Sequence, residues 1–230
     1  MNRKESPNFD DRPAGLPVDM LVLHYTGMKS ASDALDRLCD PAAKVSAHYL
    51  VNMNGSVSAL VDEEKCAWHA GVSFWRGHTD VNARSIGIEL VNPGHEFDYV
   101  PFPEKQMAAL IKLAKDILKR HAIEARNVVG HSDIAPRRKM DPGELFDWPR
   151  LAAAGIGLWF DTTGPDNIEP ANDADLTKTE EWLESYGYET VDLAATLTAF
   201  QRHFRPEPLH GLADTDTVGR LRNLLAQVAE

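Results

Sequence analysis

Two histidines and one aspartate of this sequence have the residue types and positions of metal ligands. His24 follows an apolar run, Met20–Leu23, that predicts a buried strand, and His131 follows a second short run, Val128–Gly130. Asp141 lies ten residues after His131, in a loop. Catalytic zinc usually takes three protein ligands and leaves a fourth position for water. The three residues therefore predict a zinc site, although a histidine at a strand end is more often structural and an Asp-Pro-Gly sequence is equally typical of a turn.

The elements that must position these side chains are predicted to be strands interleaved with helices. Apolar runs predict strands over 20–23, 45–53, 57–61, 85–91 and 128–129, and Asn54-Gly55 predicts a hairpin between the second and the third. Capping residues and helical spacing predict helices over 30–40, 104–121 and 149–154. This order indicates an α/β (α+β) fold with a mixed β-sheet flanked by helices.

The composition changes after residue 160. Residues 161–175 are rich in acids and in helix-breaking residues, which predicts a linker between a first domain over 1–160 and a second over 176–230. The second domain is predicted to be a small three-helix unit. Its apolar positions are Leu176, Leu183 and Tyr186 in the first helix, Leu193, Leu197, Phe200 and Phe204 in the second, and Val218, Leu221, Leu225 and Val228 in the third.

Charge and composition exclude several classes of partner. The net charge of −11 argues against nucleic acid, and no apolar run approaches the roughly 18 residues of a membrane span. The first residues, Met1–Asp11, are polar and unlike a signal peptide, which predicts a cytoplasmic location, or a periplasmic one if a signal was removed before this numbering begins. Cys39 and Cys66 make no disulfide framework in a chain of this length and are predicted to be buried thiols.

Five motifs follow one another along the chain. They are Leu23-His-Tyr-Thr-Gly27, Ser46-Ala-His-Tyr-Leu50, Ala67-Trp-His-Ala-Gly71, Asn82-Ala-Arg-Ser-Ile-Gly-Ile-Glu89 and Gly130-His-Ser-Asp-Ile-Ala-Pro-Arg-Arg-Lys-Met-Asp-Pro-Gly143. In sequence and in order they resemble the motifs of the zinc-dependent N-acetylmuramoyl-L-alanine amidases. This family includes phage amidases and animal peptidoglycan recognition proteins. The resemblance covers residues 17–155 and is closest to the bacterial branch that recycles or trims muropeptides. It implies a mixed sheet flanked by helices, a Zn²⁺ cofactor, and peptidoglycan fragments or muropeptides as partners.

The resemblance implies roles for the candidate ligands and for one glutamate. His24, His131 and Asp141 would be the zinc ligands, and two imidazoles with one carboxylate leave a net charge of about +1 that favours acidification of water. Glu89 matches the catalytic glutamate, which takes a proton from the attacking water and passes it to the leaving amine. Alternation along its strand independently places Glu89 on the face opposite Ile88. The alternative is a solvent-facing glutamate, or one paired with an arginine.

Lys139 matches the lysine with which the family stabilises the developing oxyanion. It also belongs to a basic run, Arg137–Lys139, and such runs are commonly solvated surface residues.

The remaining motif residues are implied to contact or shape the substrate groove. Tyr49 would contact the attacking water or the substrate, and Trp68, His69 and Asn82 would shape the groove. A buried tyrosine with a satisfied hydroxyl is the alternative for Tyr49, and a role in orienting loops is the alternative for His69. Gly87 is predicted to permit a close approach to the backbone.

The end of the chain resembles a second kind of domain. Ala199-Phe-Gln-Arg202 and Gly211-Leu-Ala-Asp214 are similar to the small three-helix peptidoglycan-binding domain of cell-wall hydrolases. The alternative is a helical appendage that only packs against the first domain.

Together these patterns predict an amidase that cuts between the lactyl group of (anhydro-)N-acetylmuramic acid and the L-alanine of the stem peptide. A non-catalytic peptidoglycan recognition module is one alternative, but Asp141 argues against it because such relatives usually lack the third ligand. A zinc peptidase that cuts within the stem peptide is another. Soluble anhydro-muropeptides and polymeric peptidoglycan both stay open as substrates, since the polar N-terminus favours the former and a wall-binding tail the latter.

Overall fold

A mixed β-sheet lies at the centre of the fold. The computed structural model describes residues 1–160 and 171–228. The strands within them are β1 (Asn2–Arg3), β2 (Phe9–Asp11), β3 (Met20–Tyr25), β4 (Tyr49–Val51), β5 (Val57–Ala59), β6 (Lys65–Ala67), β7 (Ser85–Leu90) and β8 (Val128–Gly130). Six of them form a sheet in the order β1-β5-β4-β7-β3-β8, in which only the β4–β5 hairpin is antiparallel, and β2 pairs with β6 separately. The predicted mixed sheet is confirmed.

Helices lie on both faces of this sheet. Those in the described part of the chain are α1 (Ala31–Cys39), α2 (Val81–Arg84), α3 (Glu104–Arg120), α4 (His131–Ile134), α5 (Trp148–Ala153), α6 (Asp173–Leu176), α7 (Thr179–Tyr186), α8 (Leu193–Phe204) and α9 (Thr215–Val228). The hydroxyl of Ser30 accepts the Asp33 amide at the start of α1, as its capping pattern predicts. The short elements β1, β2, β6, α2 and α4 were not predicted, because two to four residues without an apolar run or a hairpin signal show no period.

Alternation along β3 and β7 divides the sheet into two buried faces. Leu23 and Ile88 face a core that also contains α3 and α5, whereas Met20 and Val22 face the opposite side. The strands β3 and β7 are parallel, and His24 pairs with Glu89 near their carboxyl ends. The polar residues of the second face therefore meet at the edge of the sheet where α/β proteins commonly bind ligands.

The three helices predicted at the end of the chain correspond to α7, α8 and α9. Leu176 was predicted in the first of them but ends α6, a separate short helix that Asn172 caps. Apolar side chains of these helices, such as Phe200 and Leu221, form one cluster with Met20 and Val22 of the sheet. The tail (residues 171–228) thus packs on the second face. The division into two domains stays a prediction, and residues 161–170 of the predicted linker lie outside the described residues.

Cys66 is buried as predicted, whereas Cys39 is only half-buried, and both are free thiols. Among the described helices, none combines the length and the apolar composition that a membrane span requires.

Candidate metal centre and active site

The three predicted ligands converge on one point. His24 Nδ1 lies 2.9 Å from His131 Nδ1, and each of these atoms lies 3.0 Å from Asp141 Oδ2. His24 lies near the end of β3, His131 begins α4 directly after β8, and the Ser132 amide donates to the Asp141 carbonyl at 2.9 Å, which ties the ligand loop to α4. All three side chains are buried. The fold therefore brings together residues that are more than a hundred positions apart.

A chain of hydrogen bonds behind His24 sets its tautomer. Ser85 Oγ donates to the Val81 carbonyl at 2.6 Å, so it accepts from His69 Nε2 at 3.1 Å. His69 Nδ1 is then an acceptor and takes the proton of His24 Nε2, also at 3.1 Å. The lone pair of His24 consequently lies on Nδ1, the atom that faces the other two ligands.

The same reasoning applies to His131. Its Nε2 lies 3.0 Å from the Ala70 carbonyl, which can only accept, so Nδ1 again carries the lone pair. Two imidazole lone pairs and a carboxylate oxygen within 3.0 Å of one another require a shared proton or a cation between them. Burial lowers the pKa of His24 to about 4, which keeps its imidazole neutral at pH 7. This donor set suits Zn²⁺.

Glu89 lies beside this cluster with one carboxyl oxygen unpaired. Its strand position pairs with His24, and its Oε2 is buried without a hydrogen-bond partner in the described residues. Burial, together with the negative charge of Asp141, raises the pKa of Glu89 well above its usual range. No arginine pairs with this carboxyl in residues 1–160 and 171–228, so the alternative of an arginine partner is not what the structure shows. Glu89 is placed to exchange protons with a small molecule at the cluster.

The three basic residues before Asp141, Arg137–Lys139, lie in different environments. Arg137 pairs with Glu189 at the surface, 3.2 Å away. Arg138 donates to the carbonyls of Ala70 and Val72, so it braces the loop that also accepts from His131. Lys139 lines the cavity over the cluster, and its charge acts to lower the pKa of both His24 and Glu89. Arg138 lines this cavity too, but its guanidinium is engaged by two backbone carbonyls, whereas the Lys139 ammonium has no ion-pair partner among residues 1–160 and 171–228.

A cavity of about 450 Å³ opens above these groups. Its lining includes the site residues His69, Glu89, His131 and Asp141, together with Arg37, Trp68, Lys139 and Met140. This volume is in the range of small-molecule sites. Two of the predicted ligands, both predicted catalytic residues and two predicted groove residues thus line one cavity. The third ligand, His24, contacts the other two but is not part of the lining.

Trp68, His69 and Asn82 differ in their relation to the cavity. The Trp68 indole lines it and donates to Asp10 Oδ2 at 2.6 Å. The Asn82 side chain instead accepts the amides of His69 and Ala70, so it holds their loop from behind. A Cβ at Gly87 would lie 2.4 Å from the His69 ring, which confirms the predicted close approach to the Gly87 backbone.

Tyr49 lies apart from the other candidate residues. It pairs with Ile88, so it points to the opposite face of the sheet from Glu89. Its hydroxyl donates to Glu63 Oε1 at 2.7 Å, and the residue is absent from the lining of the 450 Å³ cavity. This environment matches the alternative of a packed tyrosine with a satisfied hydroxyl.

Ser85, Arg138 and Arg37, which lines the cavity from α1, were not singled out from the sequence. Ser85 lies two and four positions before Gly87 and Glu89, so strand alternation places it on their face, and this signal was available. Arg138 had no such signal, because only the fold shows which carbonyls it reaches.

The N-acetylmuramoyl-L-alanine amidase family model matches residues 14–144 of this chain. The N-acetylmuramoyl-L-alanine amidase AmiD of Escherichia coli (strain K12) is 40% identical, over 99% of this chain and 91% of its own length. The 1,6-anhydro-N-acetylmuramyl-L-alanine amidase AmpD of Haemophilus influenzae is 35% identical, over 65% of this chain and 89% of its own. The match with AmiD therefore extends through the tail.

Solved structures agree with these sequence matches. The crystal structure of AmpDh3 from Pseudomonas aeruginosa has a TM-score of 0.83 at 36% identity and covers 99% of both chains. A complex of AmiD from E. coli with the substrate anhydro-N-acetylmuramic acid-L-Ala-D-γ-Glu-L-Lys has a TM-score of 0.81 at 37% identity, covering 96% of this chain and 98% of that one.

Proposed function

Because this chain belongs to the N-acetylmuramoyl-L-alanine amidase family, we propose that it is a zinc enzyme that acts on anhydro-muropeptides. The bond cut is the amide between the lactyl group of (anhydro-)N-acetylmuramic acid and the L-alanine of the stem peptide. The role is in peptidoglycan recycling or turnover.

One observation carries the proposal: three metal-binding atoms face one another beside an unpaired carboxyl group. His24 Nδ1, His131 Nδ1 and Asp141 Oδ2 present two lone pairs and a carboxylate within 3.0 Å, and Glu89 Oε2 lies buried beside them without a partner. Zinc bound by such a set supplies a Lewis acid and makes water more acidic. Three protein ligands, rather than four, leave a position open for a reacting molecule.

Glu89 and Lys139 are proposed to perform the proton and charge chemistry. Glu89 takes a proton from the attacking water at a carboxyl oxygen and later delivers it to the amine of L-alanine as that amine leaves. The Lys139 ammonium stabilises the negative charge that develops on the lactyl carbonyl oxygen. His69, by accepting from His24 Nε2, keeps the ligand ring in its metal-binding tautomer.

The proposed substrate class follows from the cavity and from the relatives. E. coli AmiD was solved with an anhydro-muropeptide bearing three amino acids, and P. aeruginosa AmpDh3 with anhydromuramic pentapeptide. In this chain, Arg37 and Lys139 line the cavity although the net charge is −11, and these cations suit the carboxylates of a stem peptide. Trp68 offers an apolar surface for the sugar.

A cytoplasmic location is also part of the proposal. Fractionation of cells, with an antibody to this chain, would test it.

Mass spectrometry of the products of a defined anhydro-muropeptide tests the function. We expect anhydro-N-acetylmuramic acid and the intact stem peptide, and no product from Glu89→Gln, which keeps all three ligands. Cleavage within the peptide would instead identify a zinc peptidase. Tight binding without any cleavage, by protein with one zinc per chain, would identify a recognition module.

Intact sacculi, assayed beside the soluble substrate at equal enzyme concentration, test the preference for soluble fragments. Faster release of peptide from sacculi would contradict it.

A further inference from the structure

The buried carboxyl group of Asp133 joins the metal centre to the tail. Asp133 lies in α4, two residues after His131. Its Oδ2 accepts the Gly130 amide at 2.7 Å, which closes the first turn of α4 around the ligand. The other two partners come from the tail: Tyr188 donates to Oδ1 and His203 Nδ1 contacts Oδ2, both at 2.7 Å.

This arrangement is important for His131 because α4 has only four residues. A single turn has little stability of its own and depends on its packing. The Gly130 amide and the Asp133 side chain fix the turn on which His131 projects towards His24 and Asp141. Hydrogen bonds that fix the Asp133 side chain therefore also help to fix the position of the His131 ring.

The tail residues that hold Asp133 are themselves fixed. The His203 ring stacks on Trp148, with centroids 3.7 Å apart and an angle of 18° between planes. Tyr188 is 1% exposed and packs against Trp75 and Phe200. Packing against buried rings therefore holds both side chains in position to reach Asp133.

Arg202, which precedes His203 in α8, is connected through other side chains to the segment that contains His24. Arg202 lies 3.7 Å from Glu144, which lies 3.1 Å from His95 Nε2. His95 Nδ1 in turn lies 2.8 Å from the Tyr25 hydroxyl, and Tyr25 follows the ligand His24 and lines the cavity. Two adjacent residues of α8 thus connect to both ligand-bearing segments.

We propose that the tail is a positioning element of the metal centre, acting through Tyr188 and His203 on Asp133. This inference rests on the proposed zinc site. It assigns the tail a role in the reaction that is independent of any binding to the cell wall. Tyr188 and His203 are positioning residues, since neither lines the cavity.

Zinc affinity of the full-length chain, measured by competition with a chromophoric chelator, tests the proposal. Tyr188→Phe removes one hydroxyl, and His203→Phe keeps a ring on Trp148 but loses the donor. Partners of metal ligands commonly contribute 10–100-fold to affinity, and we expect each variant to bind zinc about tenfold more weakly. Tyr186→Phe is the matched control, because Tyr186 is buried in the same cluster but is not hydrogen-bonded to Asp133.

A further variant separates positioning from loss of stability. Gln201→Leu removes hydrogen bonds that lie within the tail, to Leu212 and Thr217, and leaves Asp133 untouched. We expect it to lower the melting temperature without weakening zinc binding. Equal affinities in all variants, with zinc bound by the wild type, would overturn the positioning role. Absence of zinc binding by the wild type would instead refute the proposed metal site.

Discussion

His24 Nε2 and His69 Nδ1 lie 3.1 Å apart, and this contact determines which nitrogen of His24 faces the other ligands. The proton that they share is fixed by Ser85 on the far side of the His69 ring. The ring itself lies against Gly87, where any side chain would collide with it. The orientation of the His24 ring is therefore set by contacts within the protein itself.

Replacement of Ser85 tests this orientation. Ser85→Ala leaves His69 Nε2 without its partner, so the His69–His24 pair loses its preferred tautomer. We expect zinc affinity to fall about tenfold, within the range of such outer contacts, with little change in melting temperature. Ser6→Ala is the control, since Ser6 is equally buried but bonds to Leu38. Equal zinc affinities for the two variants would refute the tautomer argument.

Removal of the metal or of its carboxylate ligand is expected to abolish hydrolysis. Dialysis against a chelator should remove activity, and added zinc should restore it. Asp141→Ala should purify with little zinc, because two imidazoles alone make an incomplete site. Elemental analysis and peptide release measure the two effects, and a variant that keeps both zinc and activity would contradict the ligand assignment.

Glu89 is expected to destabilise the metal-free protein at neutral pH. Its pKa is raised in the folded state, mainly by burial, so ionisation favours the unfolded chain once pH exceeds the ordinary glutamate value. Glu89→Gln should therefore raise the melting temperature of the chelated protein at pH 7, and the gain should disappear as pH falls below about 4.5. Thermal unfolding across this range measures it. A gain that is independent of pH would exclude the carboxyl charge as its cause.

Lys139 is expected to affect turnover far more than its neighbours in sequence. Loss of one oxyanion donor typically costs about 10²–10³ in rate, so Lys139→Met should reduce kcat by this amount while zinc stays bound. Arg137→Met is the control, because Arg137 pairs with Glu189 at the surface. Similar losses in both variants would indicate a general effect of charge.

Tyr49→Phe is expected to leave hydrolysis intact. The hydroxyl bonds to Glu63 on the face of the sheet opposite the metal centre, so its removal should cost only about 1 kcal/mol of stability. Denaturant unfolding and kcat/KM measure the two quantities. A large loss of kcat/KM in a folded, zinc-loaded variant would instead indicate that Tyr49 contributes to the reaction.

The parts of the site that could be predicted from sequence are those set by local periodicity. His24 lies near the end of one apolar strand and His131 directly follows another. Alternation along a third strand places Glu89 on the face opposite Ile88. These assignments need no knowledge of which strands are neighbours. The roles of Asp141 and Lys139 were predicted only from the motifs, because no local pattern distinguishes these residues from turn and surface residues.

The parts that could not be predicted depend on pairing between distant segments. The face of Tyr49 follows only from its register with Ile88, since a three-residue strand does not define its own orientation. The contact of His203 with Asp133 spans 70 positions and involves two ordinary polar residues. Such contacts are determined by how whole elements dock, which the amphipathic pattern of each helix does not specify.

His24 and Asp141 are 117 positions apart, so an ion held by both would close a loop of half the chain. A cross-link of this length removes conformational freedom mainly from the unfolded ensemble. Binding of the ion would therefore oppose global unfolding and slow the access of proteases to the chain. The concentration of free metal would then set the resistance of the chain to unfolding and proteolysis as well as its turnover.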